Sequence, residues 1–243
     1  MLRAENLTLA VPGKTLCHDL SFTVRAGECW AILGCNGSGK TTLLHVLNGL
    51  AEPASGKVVL DDVPLADIPR FELARSVGVC LQDEAAGYWG TVAEYVLLGR
   101  FPHSGGASND EDSQLAQAAL QRVNMAAYAP RRFATLSGGE RQRVRIAQLL
   151  AQAPRLYCFD EPLQHLDLRH QAEAMALFRD LASTAQQAVA MVLHEPWWAA
   201  RYCSHALLLF EDGTALGGEN GIVLTRDNLE KLYGCPLIAP ICV

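Results

Sequence analysis

A chain of 243 residues, 50% hydrophobic and 19% charged with mean hydropathy +0.10, has the balance of a soluble globular protein. It can bury a sizeable core in one enlarged domain or two lobes. The net charge of −6 and isoelectric point near 5.6 argue against broad nonspecific nucleic-acid binding, and no apolar stretch approaches the roughly 20 residues a bilayer span needs. Any membrane role is therefore expected through partner subunits.

The opening Met1-Leu2-Arg3-Ala4-Glu5-Asn6 predicts no secretory leader. Residues 7–11 and 21–24 read as strands flanking a Pro12-Gly13 turn, and 29–33 as a compact apolar strand. Gly34-Cys35-Asn36-Gly37-Ser38-Gly39-Lys40-Thr41 follows, then a helix predicted to stop near Gly49. Val58-Val59-Leu60 before Asp61-Asp62-Val63-Pro64 reads as a strand entering a turn. From about residue 83 to 153 the pattern becomes helical, with Leu115, Ala119 and Val123 on one face, and Ile146, Leu149 and Leu150 on another. Core strands return at 156–159, 188–193 and 206–210, with a helical stripe of Leu168, Ala172, Met175, Phe178 and Ala182 between the first two. Residues 104–109 read as a mobile loop, and Trp197 and Trp198 as core or contact surface, with core the default. No internal repeat is present. The eight cysteines (Cys17, Cys29, Cys35, Cys80, Cys158, Cys203, Cys235, Cys242) show no C-x-x-C spacing and read as free thiols in a reducing cytoplasm.

The segment from Gly34 to Thr41 matches G-x-x-x-x-G-K-[ST] after a strand and before a helix. Its glycines let backbone amides converge on phosphate oxygens at a helix N-terminus. Lys40 is expected to reach the β- and γ-phosphates and Thr41 to ligate Mg²⁺, while Gly37, Ser38, Gly39 and Thr42 are expected to supply further donors. Asp160 and Glu161 emerge at a strand's C-terminal end, where ligands collect in α/β sheets. Asp160 is expected to hold Mg²⁺ through water, and Glu161 to act as general base. In Leu136-Ser137-Gly138-Gly139-Glu140-Arg141-Gln142, Ser137 and Glu140 form a capping box and the glycines leave amides open to an anion. Alone, this last pattern is a common structural feature. A P-loop alone specifies only a nucleotide fold.

Together these segments resemble the ABC-type ATPases over nearly the whole chain. The resemblance implies an α/β P-loop NTPase: a RecA-like core with a mostly parallel sheet, an antiparallel β subdomain and an inserted helical subdomain. One domain would cover 1–243, its core at about 1–82 and 154–243 and its helical subdomain at about 83–153. Gly34 to Thr42, with Cys35 and Asn36 among them, bind ATP. Leu136, Ser137, Gly138, Gly139 and Glu140 form the signature that closes on the partner's ATP. Gln82 becomes the glutamine that senses Mg²⁺ and water, and His194 the switch contacting γ-phosphate. Asp167 marks the D-loop.

Each ATP would lie between Lys40 of one copy and Ser137 of the other in a head-to-tail homodimer. The wording of Val96-Leu97-Leu98-Gly99-Arg100-Phe101-Pro102-His103, Arg143-Val144-Arg145-Ile146-Ala147-Gln148 and Leu166-Asp167-Leu168-Arg169-His170-Gln171 is similar to the branch importing iron–siderophores, haem and cobalamin. That implies a peripheral subunit on the cytoplasmic face of the inner membrane, binding a separate dimeric permease fed by a periplasmic binding protein, with no nucleic-acid partner.

Three departures stand out. Ala10-Val11-Pro12-Gly13-Lys14 has no aromatic to stack on adenine, leaving Val11 as the apolar support. Cys35 replaces a common proline, and a thiol near a helix N-terminus gains reactivity. Gln164-His165 stand before Leu166-Asp167 in place of small residues. Two other classes compete: a non-transport ABC ATPase, which would carry coiled coils or a fused second half, and a P-loop kinase, which leaves the signature unexplained.

Overall fold

The structure is a computed structural model describing residues 1–82, 87–105, 109–183 and 187–236. In chain order the elements are β1 (Leu2–Val11), β2 (Lys14–Val24), β3 (Cys29–Gly34), α1 (Lys40–Leu47), β4 (Ser55–Leu60), β5 (Val63–Pro64), α2 (Arg70–Ser76) and β6 (Val77–Cys80). Then follow α3 (Val92–Leu97), α4 (Phe101–Ser104), α5 (Asp110–Arg122), α6 (Gly138–Gln152), β7 (Leu156–Asp160), α7 (Leu168–Ser183) and β8 (Ala188–Val192). The chain closes with α8 (Pro196–Tyr202), β9 (His205–Leu209), β10 (Ala215–Glu219), α9 (Asn220–Val223) and α10 (Arg226–Tyr233). Two compact units divide it, Met1–Ile68 with Met175–Val243, and Pro69–Ala174.

In the first unit, β1 and β2 form an antiparallel hairpin turning at Pro12-Gly13, where Gly13 adopts φ +80°. Both strands run longer than the apolar runs that announce them. Polar residues such as Glu5, His18 and Asp19 fill their solvent side, and register shifts interrupt the alternation. β4 pairs with the other edge of β1 and carries β5, giving an antiparallel sheet in the order β2-β1-β4-β5. A second sheet holds β3 between β8 and β9, parallel to both, with β10 antiparallel on β9. All six residues of β3 and all five of β8 are buried, as parallel strands covered on both faces require. The α1 helix packs on β1, β3 and β8 through Leu43, Leu44 and Leu47, and stops where Gly49 takes φ +66°.

The second unit contains the parallel pair β6–β7 and the bundle of α3, α5 and α6. Tyr95 stacks on Phe133 at 4.1 Å, and Leu120 and Met125 are fully buried. On α5 the buried face is Asp112, Ala116, Ala119 and Leu120, completed by Val123, whereas Leu115 is exposed. Of the expected face, Ala119 and Val123 are thus buried and Leu115 alone lies outside it. A buried carboxylate, Asp112, occupies the position that apolar counting skips, and Arg100 Nε donates to its Oδ1 at 2.7 Å. On α7 the core stripe is Met175, Phe178, Leu181 and Ala182. Leu168, expected there, lies in the first turn and is 72% exposed. Trp198 is buried as expected, but Trp197 is exposed. The thiols of Cys17, Cys29, Cys80, Cys158 and Cys203 are buried and free, Cys35 is half-buried and Cys235 exposed; Cys242 lies outside the described residues. Of the loop expected at 104–109, residues 106–108 also lie outside them. No described helix is long and apolar enough to cross a membrane.

Candidate functional site

The phosphate loop is built from β3 upward. A Cβ on Gly34 would collide with Ser38 Oγ and lie 2.8 Å from Leu209 O, so only glycine lets the chain leave the sheet here. Cys35 O then accepts the Ser38 amide at 3.2 Å. Gly37 at φ +76° and Gly39 at φ +101° turn the loop back so that α1 begins at Lys40. Gly39 is the N-cap and provides no side-chain acceptor. The first-turn amides are thereby offered to an external anion, reinforced by the helix dipole.

Lys40 is only 6% exposed and folds back over the loop, its Nζ donating to Gly34 O at 2.9 Å and Cys35 O at 3.0 Å. The Ser38 hydroxyl is buried without a hydrogen-bond partner. A buried polar group without a partner costs about 1–3 kcal/mol unless something supplies one, and a phosphate oxygen would do so. The Cys35 thiol donates to Leu232 O at 3.1 Å, tying the loop to α10. Lys14, from the hairpin that presents the exposed Val11, donates to Gly37 O at 3.5 Å. His194, exposed just past β8, has its backbone carbonyl held by Tyr233 Oη at 3.1 Å. Burial pushes the Tyr233 phenol up to about 12, so it stays a donor.

The second unit presents the acids. Asp160, 1% exposed, ends β7, and Glu161 follows it in a left-handed conformation at φ +51°. That conformation is uncommon for a residue with a side chain and marks a position held by its surroundings. Gln82 Nε2 donates to Glu161 Oε2 at 3.2 Å, and Gln164 Nε2 donates to the same oxygen.

The helix α6 pins both segments. Arg145 donates to the carbonyls of Leu81 and, at 3.0 Å, of Gln82; Gln142, buried, donates to Pro162 O at 3.0 Å and accepts from Arg145 at 3.1 Å. These two residues are the site's main omission from the sequence reading. The available signal was their i, i+3 spacing on the helix that the signature opens.

At the start of α6, Glu140 N donates to Ser137 Oγ at 3.3 Å and Ser137 N donates to Glu140 Oε2 at 2.8 Å, the expected capping box. The Ser137 amide holds the Glu140 carboxyl below its ordinary value. Leu136 is buried beneath the turn while Ser137 is exposed. Gly138 and Gly139 lie against His165: a Cβ on Gly139 would sit 2.9 Å from His165 O. Asp167 Oδ1 accepts from the His170 amide at 2.9 Å and ring at 2.8 Å, closing the start of α7.

Lys40, Thr41 and His194 thus fall in the first unit, and Gln82, Ser137, Asp160, Glu161 and Asp167 in the second. Within the second unit Gln82 and Glu161 meet directly. The hydroxyl of Thr41 in the first unit, and the carboxylate of Asp160 and amide oxygen of Gln82 in the second, are each hard oxygens of the kind that suits Mg²⁺.

Comparison with known proteins agrees with this construction. The family model described as ABC transporter matches residues 17–164. A hemin import ATP-binding protein of Gloeobacter violaceus is 36% identical over 260 residues, covering 99% of this chain and 94% of that protein. A solved chain of an ABC transporter assigned to the metal-chelate type, in an inward-facing conformation, superposes with TM-score 0.85 at 32% identity, covering 97% of this chain and 89% of its own. A dimeric ATP-binding cassette in a post-hydrolysis state with ADP and Pi gives TM-score 0.79 at 26% identity, over 90% of this chain and 98% of that one.

Proposed function

The chain belongs to the ABC transporter family as an ATP-hydrolysing cassette, and on that premise we propose that it powers import of a metal chelate through a separate permease. The observation that carries the reading is the match to a hemin import ATP-binding protein along nearly the full length of both chains. The cargo class is haem or a chelate of similar kind, cobalamin or an iron–siderophore. Two copies work head to tail on the cytoplasmic face of the inner membrane, beneath a dimeric permease that a periplasmic binding protein loads.

The chemistry follows from the residues. The amides of Gly37 to Thr42 and the Lys40 ammonium neutralise the β- and γ-phosphates, and Asn36 and Cys35 line the turn. On ATP arrival Lys40 exchanges the carbonyls of Gly34 and Cys35 for phosphate oxygens. Thr41, Asp160 and Gln82 are the groups that would hold Mg²⁺, which supplies charge neutralisation at the phosphates when bound. Glu161 takes the proton of a water whose oxygen attacks the γ-phosphorus while the bond to the ADP oxygen breaks. His194 donates to the γ-phosphate. From the second copy, Ser137 and the amides of Gly138 and Gly139 complete the cage at the open end of α6, with Leu136 and Glu140 setting the turn and Asp167 fixing the following helix. ATP therefore joins the copies and hydrolysis lets them part, the cycle a permease needs.

The reading is tested in cells that carry this chain by replacing it with Glu161→Gln. Uptake of haem or another metal chelate should fall to the level of a deletion while unrelated solutes enter normally; undiminished chelate uptake would overturn it.

A further inference from the structure

The helix α10 has no part in the cycle above, yet its last turn touches both the phosphate loop and the segment that carries His194. It is firmly seated. Thr225 Oγ1 caps it by accepting the Asn228 amide at 3.3 Å, and Leu229 and Leu232 are buried. Lys231 Nζ lies 3.6 Å from Asp212 Oδ2 and 4.4 Å from the centre of the Phe210 ring. Gly234 at φ +65° then ends the helix. Four residues beyond Leu232 stands Pro236, which has no amide hydrogen for the Leu232 carbonyl; the Cys35 thiol of the phosphate loop donates there instead. The next residue, Tyr233, sends its hydroxyl to His194 O at 3.1 Å.

His194 sits where the chain leaves the sheet. All of β8 is buried, and the Leu193 amide still donates to Ile32 O of β3 at 3.1 Å. Glu195 then precedes α8 without a side-chain cap bond, and Pro196 opens that helix with no amide to anchor. The Tyr233 hydroxyl fastens the peptide between these two elements, at the residue whose ring the cycle uses.

Taking His194 as the γ-phosphate contact proposed above, we infer that Tyr233 is a positioning residue: it fixes the His194 backbone to the same helical turn that receives the phosphate loop, and so sets the imidazole's place relative to the γ-phosphate. Without that hydroxyl the His194 peptide samples more positions, the productive one becomes a smaller fraction, and kcat falls. A diphosphate, which lacks the group His194 meets, binds as before.

The test uses the purified full chain. Tyr233→Phe keeps the ring and removes only the donor. It should lower kcat about two- to tenfold, the worth of one hydrogen bond, while ADP affinity measured by calorimetry stays at the wild-type value and circular dichroism shows a folded protein. Adding Tyr233→Phe to His194→Ala should cost nothing more of that variant's slow residual rate, followed over hours. If Tyr233→Phe turns over like wild type, lowers the residual rate of His194→Ala by the same factor, or weakens ADP as much as it lowers kcat, Tyr233 only packs α10 and the inference is wrong. Full turnover by His194→Ala itself would instead remove the γ-phosphate assignment, and this inference with it.

Discussion

Gly39 offers the sharpest separation of backbone conformation from packing. It sits at φ +101° and ψ 12°, and a Cβ there would lie 3.1 Å from Leu16 Cβ and 3.3 Å from Leu16 Cδ1. Gly37, two residues earlier, has φ +76° with open space where a Cβ would go. Placing alanine in a left-handed conformation costs about 1–2 kcal/mol. Gly37→Ala should lose about that much. Gly39→Ala should lose roughly a further 1 kcal/mol, because Leu16, only 7% exposed on β2, cannot move aside freely.

At roughly 2–4 °C per kcal/mol for a chain of this length, the melting temperatures should fall by about 2–8 °C for Gly37→Ala and about 4–12 °C for Gly39→Ala. Thermal and urea unfolding without nucleotide, followed by circular dichroism, measure the pair. Equal losses would refute the packing argument, and a harmless Gly39→Ala would refute both. In the presence of ATP the gap should widen, since the displaced amides no longer converge on phosphate.

Other consequences concern the chemistry. Glu161→Gln should keep ATP binding, lose turnover by about 10²-fold or more and accumulate an ATP-bound dimer in sedimentation. Ser137→Arg should block that dimer by filling the partner's phosphate seat, and unchanged cooperative hydrolysis would contradict a shared site. Alkylation of Cys35, followed by mass spectrometry in a Cys235→Ser, Cys242→Ser background, should slow with ATP and abolish hydrolysis; equal labelling with and without nucleotide would remove the idea.

The capping box predicts a pH effect of definite sign. The Glu140 carboxyl is held below its ordinary value of 4.5 mainly by the Ser137 amide, so its contribution to stability is present above about 4.5 and lost as pH falls through the lowered value. Urea midpoints of wild type and Glu140→Gln should therefore differ at neutral pH and converge as pH falls below the ordinary carboxylate value, whereas a constant difference would assign the loss to packing.

Much of this was legible in the sequence because the signals are local. The phosphate loop, the Ser137–Glu140 box and the helix stop at Gly49 each lie within a few residues, and backbone geometry dictates them. The hairpin's true length was hidden because its solvent side is polar. The first turn of the α5 face was hidden because a buried ion pair, Arg100 with Asp112, sits where apolar periodicity looks for a hydrocarbon. Leu168 misled for the opposite reason, being an apolar side chain in a first turn that faces solvent. Contacts between distant residues were out of reach: Gln82 and Glu161 are 79 positions apart, and Arg145 and the Gln82 carbonyl it holds are 63 apart. No periodicity encodes such pairs, which exist only once β6, β7 and α6 are assembled.

The shared reaction centre is tested most directly by hydrolysis rate per subunit across a dilution series, with mass measured by sedimentation in the same samples. The account predicts that the rate per subunit falls with the dimer fraction and vanishes where only single copies remain. A full rate from material that sediments as single copies throughout would contradict it.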